Sequence, residues 1–160
     1  MRNFAAAMMI ELHHVTIEQR ISNLSAIVRE GQIASINGSP DAGKSTLLRA
    51  VLGFLAIDGG HICIDGELMT PQSAPWFRRM TAYVPQWLSA PEGYDAIPDY
   101  VERCRQAVAS GKALLFVDEP DRPLSDEEQE TVDNLLRTAA EKGATILAVN
   151  CRTAHIQINL

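Results

Sequence analysis

Residues Gly38-Ser39-Pro40-Asp41-Ala42-Gly43-Lys44-Ser45 fit the pattern G-x-x-x-x-G-K-[ST]. This pattern constrains the chain on both of its sides. Before it lies QIASIN, residues 32–37, an apolar and β-branched run that reads as a buried strand. After it, Leu47, Leu48, Val51 and Leu52 recur at helical spacing, which predicts a helix over 44–52 with Gly53 as its stop. Strand, glycine-bearing loop and helix start together make an anion site. The glycines let the backbone approach the ligand, amide N–H groups point at phosphate oxygens, and the helix start adds free donors and partial positive charge. Gly38, Ser39, Asp41, Ala42, Gly43, Lys44, Ser45 and Thr46 are therefore the candidate nucleotide-binding residues. Lys44 is suited to neutralise β- and γ-phosphates, the Ser45 hydroxyl to hold Mg²⁺, and Thr46 to donate to a phosphate nearby.

The same alternation of strand and helix continues along the chain. Residues 11–17 and 21–28 read as two strands with Arg20 near their turn, and HICI at 61–64 as a strand bracketed by Asp-Gly turns. Strands are expected over 81–84, 113–117, 145–149 and 155–160, with a loop over 88–98. Asp99 with Glu102 predicts a capped helix over 100–110, and Ser125 with Glu128 a second capped helix ending near Lys142. Together these elements predict an α/β fold with a mostly parallel central sheet flanked by helices and a small antiparallel N-terminal part. One strand ends in chemistry: Leu114-Leu115-Phe116-Val117 runs into Asp118-Glu119-Pro120. Open α/β sheets take ligands at such strand ends. Asp118 is the candidate for the Mg²⁺ shell, and Glu119 for orienting or deprotonating an attacking water.

Composition narrows the function classes. At 160 residues the chain is expected to form one domain, with 1–9 as an N-terminal extension. The 14 Lys and Arg against 20 Asp and Glu leave a net charge of −6, which argues against a fold-wide nucleic-acid surface. Its apolar runs fall short of the roughly 20 residues of a membrane-spanning helix. The run 4–10 is short for a secretory signal and meets Glu11 at once. Three cysteines without Cys-x-x-Cys spacing point to a reducing compartment and against disulfides or zinc, and the scattered His13, His14, His61 and His155 receive no metal role. Trp76 and Phe77 before Arg78 and Arg79 allow either a docking surface or a partly buried aromatic pair.

With these motifs quoted, the chain resembles the nucleotide-binding domain of ABC-type ATPases, from about Ile10 to Leu160. GSPDAGKST at 38–46 resembles that family's Walker A loop, and LLFVDEP at 114–120 its Walker B strand with the catalytic glutamate. Tyr83-Val84-Pro85-Gln86 resembles the Q-loop. The resemblance implies a P-loop NTPase fold, ATP and Mg²⁺ as cofactors, Lys44 and Glu119 as catalytic residues, and Ser45, Gln86 and Asp118 around the metal. It implies that Gln86 also relays to a transmembrane permease. It further implies a cytoplasmic subunit, peripheral at the inner face of the membrane, working with a second, signature-bearing ABC subunit.

The chain also departs from that family. Asp118 follows Gln86 by only 32 positions, and neither a helical subdomain nor an LSGGQ signature fits there; Leu88-Ser89-Ala90 is a chance fragment. Cys151 falls where the family carries its switch histidine, Ser125 where it carries the D-loop aspartate, and Asp41 where a glycine is common. No aromatic lies between Phe4 and Phe54 to stack on adenine. Three readings result: a shortened ATP-binding subunit of a transporter, a nucleotide-responsive module without meaningful hydrolysis, or a decayed paralogue.

Overall fold

The computed structural model describes residues 8–86 and 98–160. Most of the expected extension, most of the expected 88–98 loop and the Leu88-Ser89-Ala90 fragment lie outside the described residues. Strands β1 (Ile10–Ile17), β2 (Ile21–Val28), β4 (Gly59–Ile64) and β5 (Glu67–Leu68) form an antiparallel sheet in the order β2-β1-β4-β5. Strands β3 (Ile33–Asn37), β6 (Thr81–Val84), β7 (Leu114–Val117), β8 (Thr145–Val149) and β9 (Ile156–Asn159) form an all-parallel sheet in the order β6-β7-β8-β3-β9. The helices are α1 (Lys44–Val51), α2 (Ala74–Arg79), α3 (Tyr100–Ala109) and α4 (Asp126–Glu141).

The inner strands β7 and β8 are buried along their whole length, which is why LLFV and TILAV read as nearly continuous apolar runs, whereas the edge strand β9 alternates between buried and exposed residues. Their period-two alternation sorts side chains between two cores. Ala34, Ile36, Leu114, Phe116 and Leu147 pack with α1 and the antiparallel sheet. Ile33, Leu115, Val117, Ile146 and Ala148 pack under α3 and α4 with Tyr100, Val132 and Leu136. Each fully buried Leu, Ile or Phe contributes about 1.5–3 kcal/mol, so these two layers supply most of the drive to fold. Met8 is buried in the first core, and the Met9 carbonyl accepts from the Asp65 amide at 2.7 Å, so the fold takes in the last residues of the expected extension.

Several local features differ from expectation. Helix α2 and the two-residue β5 were not anticipated, because six and two residues are too few to show a period. Phe77 on α2 is core while Trp76 stays 42% exposed, so the aromatic pair divides between the two readings. Asp99 precedes α3 but makes no capping hydrogen bond, and Glu102 does not close a capping box. The Asp99 carboxylate instead binds Arg122 at 2.8 and 3.0 Å, and Glu102 pairs with Arg105 at 3.1 Å. A guanidinium that offers paired donors outcompetes the backbone amides for one carboxylate. Finally, the histidines are less scattered than expected: β1 and β4 stack His13 on His61, ring centroids 4.6 Å apart, with Glu11 3.0 Å from His13.

Candidate nucleotide site

The loop 38–43 leaves the C-terminal end of β3 and enters α1. Gly43, the residue before α1, has φ of 100°, a conformation that disfavours any side chain. A Cβ on Gly38 would lie 2.7 Å from Ala42 Cβ, so the other glycine permits the loop's closest turn. Lys44 opens the helix and is only 6% exposed. Its ammonium donates to the Gly38 carbonyl at 3.0 Å and stands 4.0 Å from Glu119 Oε2.

The end of β7 meets this loop. The Ser45 hydroxyl donates to Asp118 Oδ2 at 2.8 Å, joining residues 73 positions apart in sequence. Asp118 is 4% exposed, and its Oδ1 accepts from the Glu119 amide at 2.8 Å. A carboxylate this deep is costly unless a positive charge compensates it. Ser45 and Asp118 present a hydroxyl and a carboxylate side by side, the oxygen-only donors that Mg²⁺ takes. The donor set therefore fits that ion. Lys44, Ser45, Asp118 and Glu119 are thus brought together. Gln86, half-buried just past β6, is not hydrogen-bonded to any of them, and Cys151 is buried with its amide donating to the Ser35 hydroxyl at 2.9 Å. The side chains of Ser39, Asp41, Ala42 and Thr46 likewise have no described bond to Asp118 or Glu119.

Residues not anticipated as site members support it. Asn150, the residue after β8, has φ of 53° and donates its side-chain amide to Glu119 Oε2 at 3.3 Å. Tyr100 donates its hydroxyl to the Asp118 carbonyl at 2.5 Å, and burial raises its pKa so that it remains a donor. Arg103, 8% exposed, donates to the Pro85 carbonyl at 3.0 Å and so ties α3 to the strand end before Gln86. Cys104 beside Tyr100 is pushed up to about 11 by burial and is an inert thiol. A cavity of about 110 Å³ adjoins Glu119, Asn150 and Cys151. The sequence cue for Asn150 was slight: a polar residue directly after a buried strand.

Comparison with known proteins bears on this geometry. The family described as ABC transporter matches residues 21–145. The ribose import ATP-binding protein RbsA 1 of Burkholderia cenocepacia (strain HI2424) is 26% identical over 189 aligned positions, covering 85% of this chain and 37% of that protein. The vitamin B12 import ATP-binding protein BtuD of Yersinia enterocolitica is 35% identical over 83 positions, covering 52% of this chain and 32% of that protein. Among solved structures, a putative ABC transporter ATP-binding protein from Pyrococcus furiosus superposes with a TM-score of 0.73 at 11% identity, covering 95% of this chain and 97% of that one. A bacterial Atm1-family ABC exporter with ATP bound gives 0.74 at 19% identity, covering 96% and 37%. At these identities the structural likeness shows the P-loop fold alone. The chain spans about a third of the length of these curated relatives, 37% of RbsA 1 and 32% of BtuD. The RbsA 1 alignment needs 189 positions to accommodate 85% of a 160-residue chain, so that relative carries residues within the span that this chain lacks.

Proposed function

The chain belongs to the ABC transporter family, and from that premise we propose that it is a shortened ATP-binding subunit that takes Mg-ATP on the loop 38–46 and serves a membrane permease. The observation that carries this reading is the 2.8 Å bond from Ser45 to buried Asp118, with the buried Lys44 ammonium beside it. That arrangement has no evident structural use: a core would be cheaper with apolar residues in those places. Gly38, Ser39, Asp41, Ala42, Gly43 and Thr46 line the loop that cradles phosphates. Lys44, now holding the Gly38 carbonyl, is the charge that exchanges that partner for phosphate oxygens. Ser45 and Asp118, with Gln86 from the end of β6, are the residues that hold Mg²⁺, whose role when bound is to neutralise charge on the β- and γ-phosphates. Glu119, kept in place by Asn150, accepts the proton of an attacking water.

The permease partner is supported by the printed names of relatives, which are import ATP-binding proteins. No helix among the described residues is long and apolar enough to cross a membrane. Apolar surface suited to a partner exists: exposed Phe54 lines a cavity of about 340 Å³ together with Leu55, Ile57 and Met69, and Leu68 and Trp76 are also exposed. A cytoplasmic place against the inner membrane face follows from that partnership.

A second reading, a nucleotide-responsive module with little hydrolysis, is favoured by one observation. Residues 98–118 hold α3 and β7, and no LSGGQ occurs anywhere in the sequence. Donors aimed at the transferring phosphate account for several powers of ten in rate, and the chain supplies no signature to a second copy. The discriminating experiment measures bound nucleotide and Mg-ATP turnover in the same samples. Turnover above Lys44→Ala and abolished by Glu119→Gln supports the ATPase subunit. Binding without turnover, alone and with signature-bearing partners, supports the module. Absence of binding overturns both.

A further inference from the structure

The solvent face of the antiparallel sheet carries a side-chain cluster that the nucleotide site does not use. Glu11 and His13 lie two residues apart on β1 and so share one face; His61 and Cys63 do the same on β4. The ladder sets Glu11 opposite Cys63 and His13 opposite His61. Residues directly opposed across an antiparallel pair have Cβ atoms about 4.5–5.5 Å apart. In consequence one ligand atom from each of His13, His61 and Cys63 lies within 4.8 Å of the other two. The two imidazole planes stack at 23°. Cys63 is a free, half-buried thiol.

The chemistry of this donor set is specific. A thiol with two imidazoles is the soft and borderline combination that selects Zn²⁺ and its neighbours, and it discriminates against Mg²⁺ and Ca²⁺, which take oxygens. Ligand atoms around a tetrahedral ion at Zn–N and Zn–S lengths sit about 3.3–3.8 Å apart, so the trio needs to contract by only about an ångström, within reach of side-chain rotation. Glu11 Oε2 lies 3.0 Å from His13 Nε2. It thereby orients that ring and leaves the other nitrogen free, as carboxylates do for metal-bound histidines. The support is rigid: on the opposite face Ile10, Leu12, Ile62 and Ile64 are 0–2% exposed and lock the register. Beside the cluster Gly60 has φ of 75°, and a Cβ there would lie 2.3 Å from the His13 carbonyl oxygen, so the backbones of the two strands close up at this point.

We propose that His13, His61 and Cys63 bind one divalent ion of the Zn²⁺ class, with Glu11 positioning His13 and water completing a four-coordinate set. The site is separate from the Mg²⁺-nucleotide site, which contains no thiol or imidazole. Bound metal cross-links β1 to β4 and stabilises the folded chain.

Co²⁺ titration of the reduced full chain tests this, because a Co²⁺–thiolate bond gives a charge-transfer band that oxygen ligands do not. The band should saturate at one Co²⁺ per chain and vanish when Zn²⁺ is added. Cys63→Ser should abolish it, while the double variant Cys104→Ser, Cys151→Ser should keep it. Glu11→Gln should weaken Co²⁺ binding by about 10-fold. Zn²⁺ should raise the thermal midpoint of the wild type and not that of Cys63→Ser, with circular dichroism showing both folded. A folded wild type that gives no thiolate band, or a band that survives Cys63→Ser, overturns the proposal.

Discussion

Lys44 is a buried ammonium whose closest partner is a carbonyl of its own loop, 3.0 Å away. Such a group is costly to hold, and the proposed function gives it an anion to neutralise. Lys44→Ala should therefore weaken ATP binding by about 10–100-fold, the range of a charge-assisted bond worth about 1.5–3 kcal/mol, measurable by equilibrium dialysis. Thr145 marks the opposite situation. Its hydroxyl is fully buried at the start of β8 with no hydrogen-bond partner among the described residues. Thr145→Val should leave urea stability unchanged or raise it, since an unsatisfied polar atom is removed at nearly constant shape. At this scale the loop motif singled out Lys44 and Ser45, and the acidic pair after β7 stood out only in company with that loop; the fold does bring the four side chains together. Asn150 was not. Its reach to Glu119 depends on a left-handed backbone turn after β8, which no periodicity announces. The His13, His61 and Cys63 cluster was also hidden: an i, i+2 pair on each of two strands becomes one site only once cross-strand register is known.

Among the elements, α4 shows local signals agreeing with the outcome. Ser125 accepts from the Glu128 amide, and Glu128 accepts from the Ser125 amide, both at 3.1 Å, closing the expected capping box. Ser125→Ala should cost about 1 kcal/mol in chemical unfolding. Helix α3 shows how such signals fail. Its Asp99 has the right identity and position for a cap, but Arg122 arrives from the loop before α4 and takes the carboxylate. Arg122 also binds Glu128, so one guanidinium ties the starts of both helices. The Arg122 contact, followed by the Ser125 backbone amide, holds the Glu128 carboxyl down to about 2 from an ordinary 4.5. A carboxyl depressed on folding stabilises the native state above its unfolded pKa, and that contribution is lost as pH falls through the folded value. Glu128→Gln keeps a side chain able to close the box. The wild type should thus be more stable than Glu128→Gln at neutral pH. The gap should close as pH falls from about 4.5 to about 2, as thermal melts across that window would show.

For the whole molecule, the alternation of strands and helices was enough to predict an α/β fold with parallel sheet and antiparallel annex, and the family match over 21–145 agrees with it. Which strands neighbour one another was not readable, because the order β6-β7-β8-β3-β9 is set by crossovers between distant segments. That order brings β3 and β7 near enough for their C-terminal ends to share Ser45 and Asp118 across β8. In the proposed function this shared end is a Mg-nucleotide site. The decisive measurement is titration of the purified chain with ATP, with and without Mg²⁺, beside the variants Ser45→Ala and Asp118→Asn. The expected result is that Mg²⁺ tightens ATP binding to the wild type and that this gain disappears in both variants. Equal ATP affinity with and without Mg²⁺ in the wild type, or a Mg²⁺ gain that survives in Asp118→Asn, would contradict it.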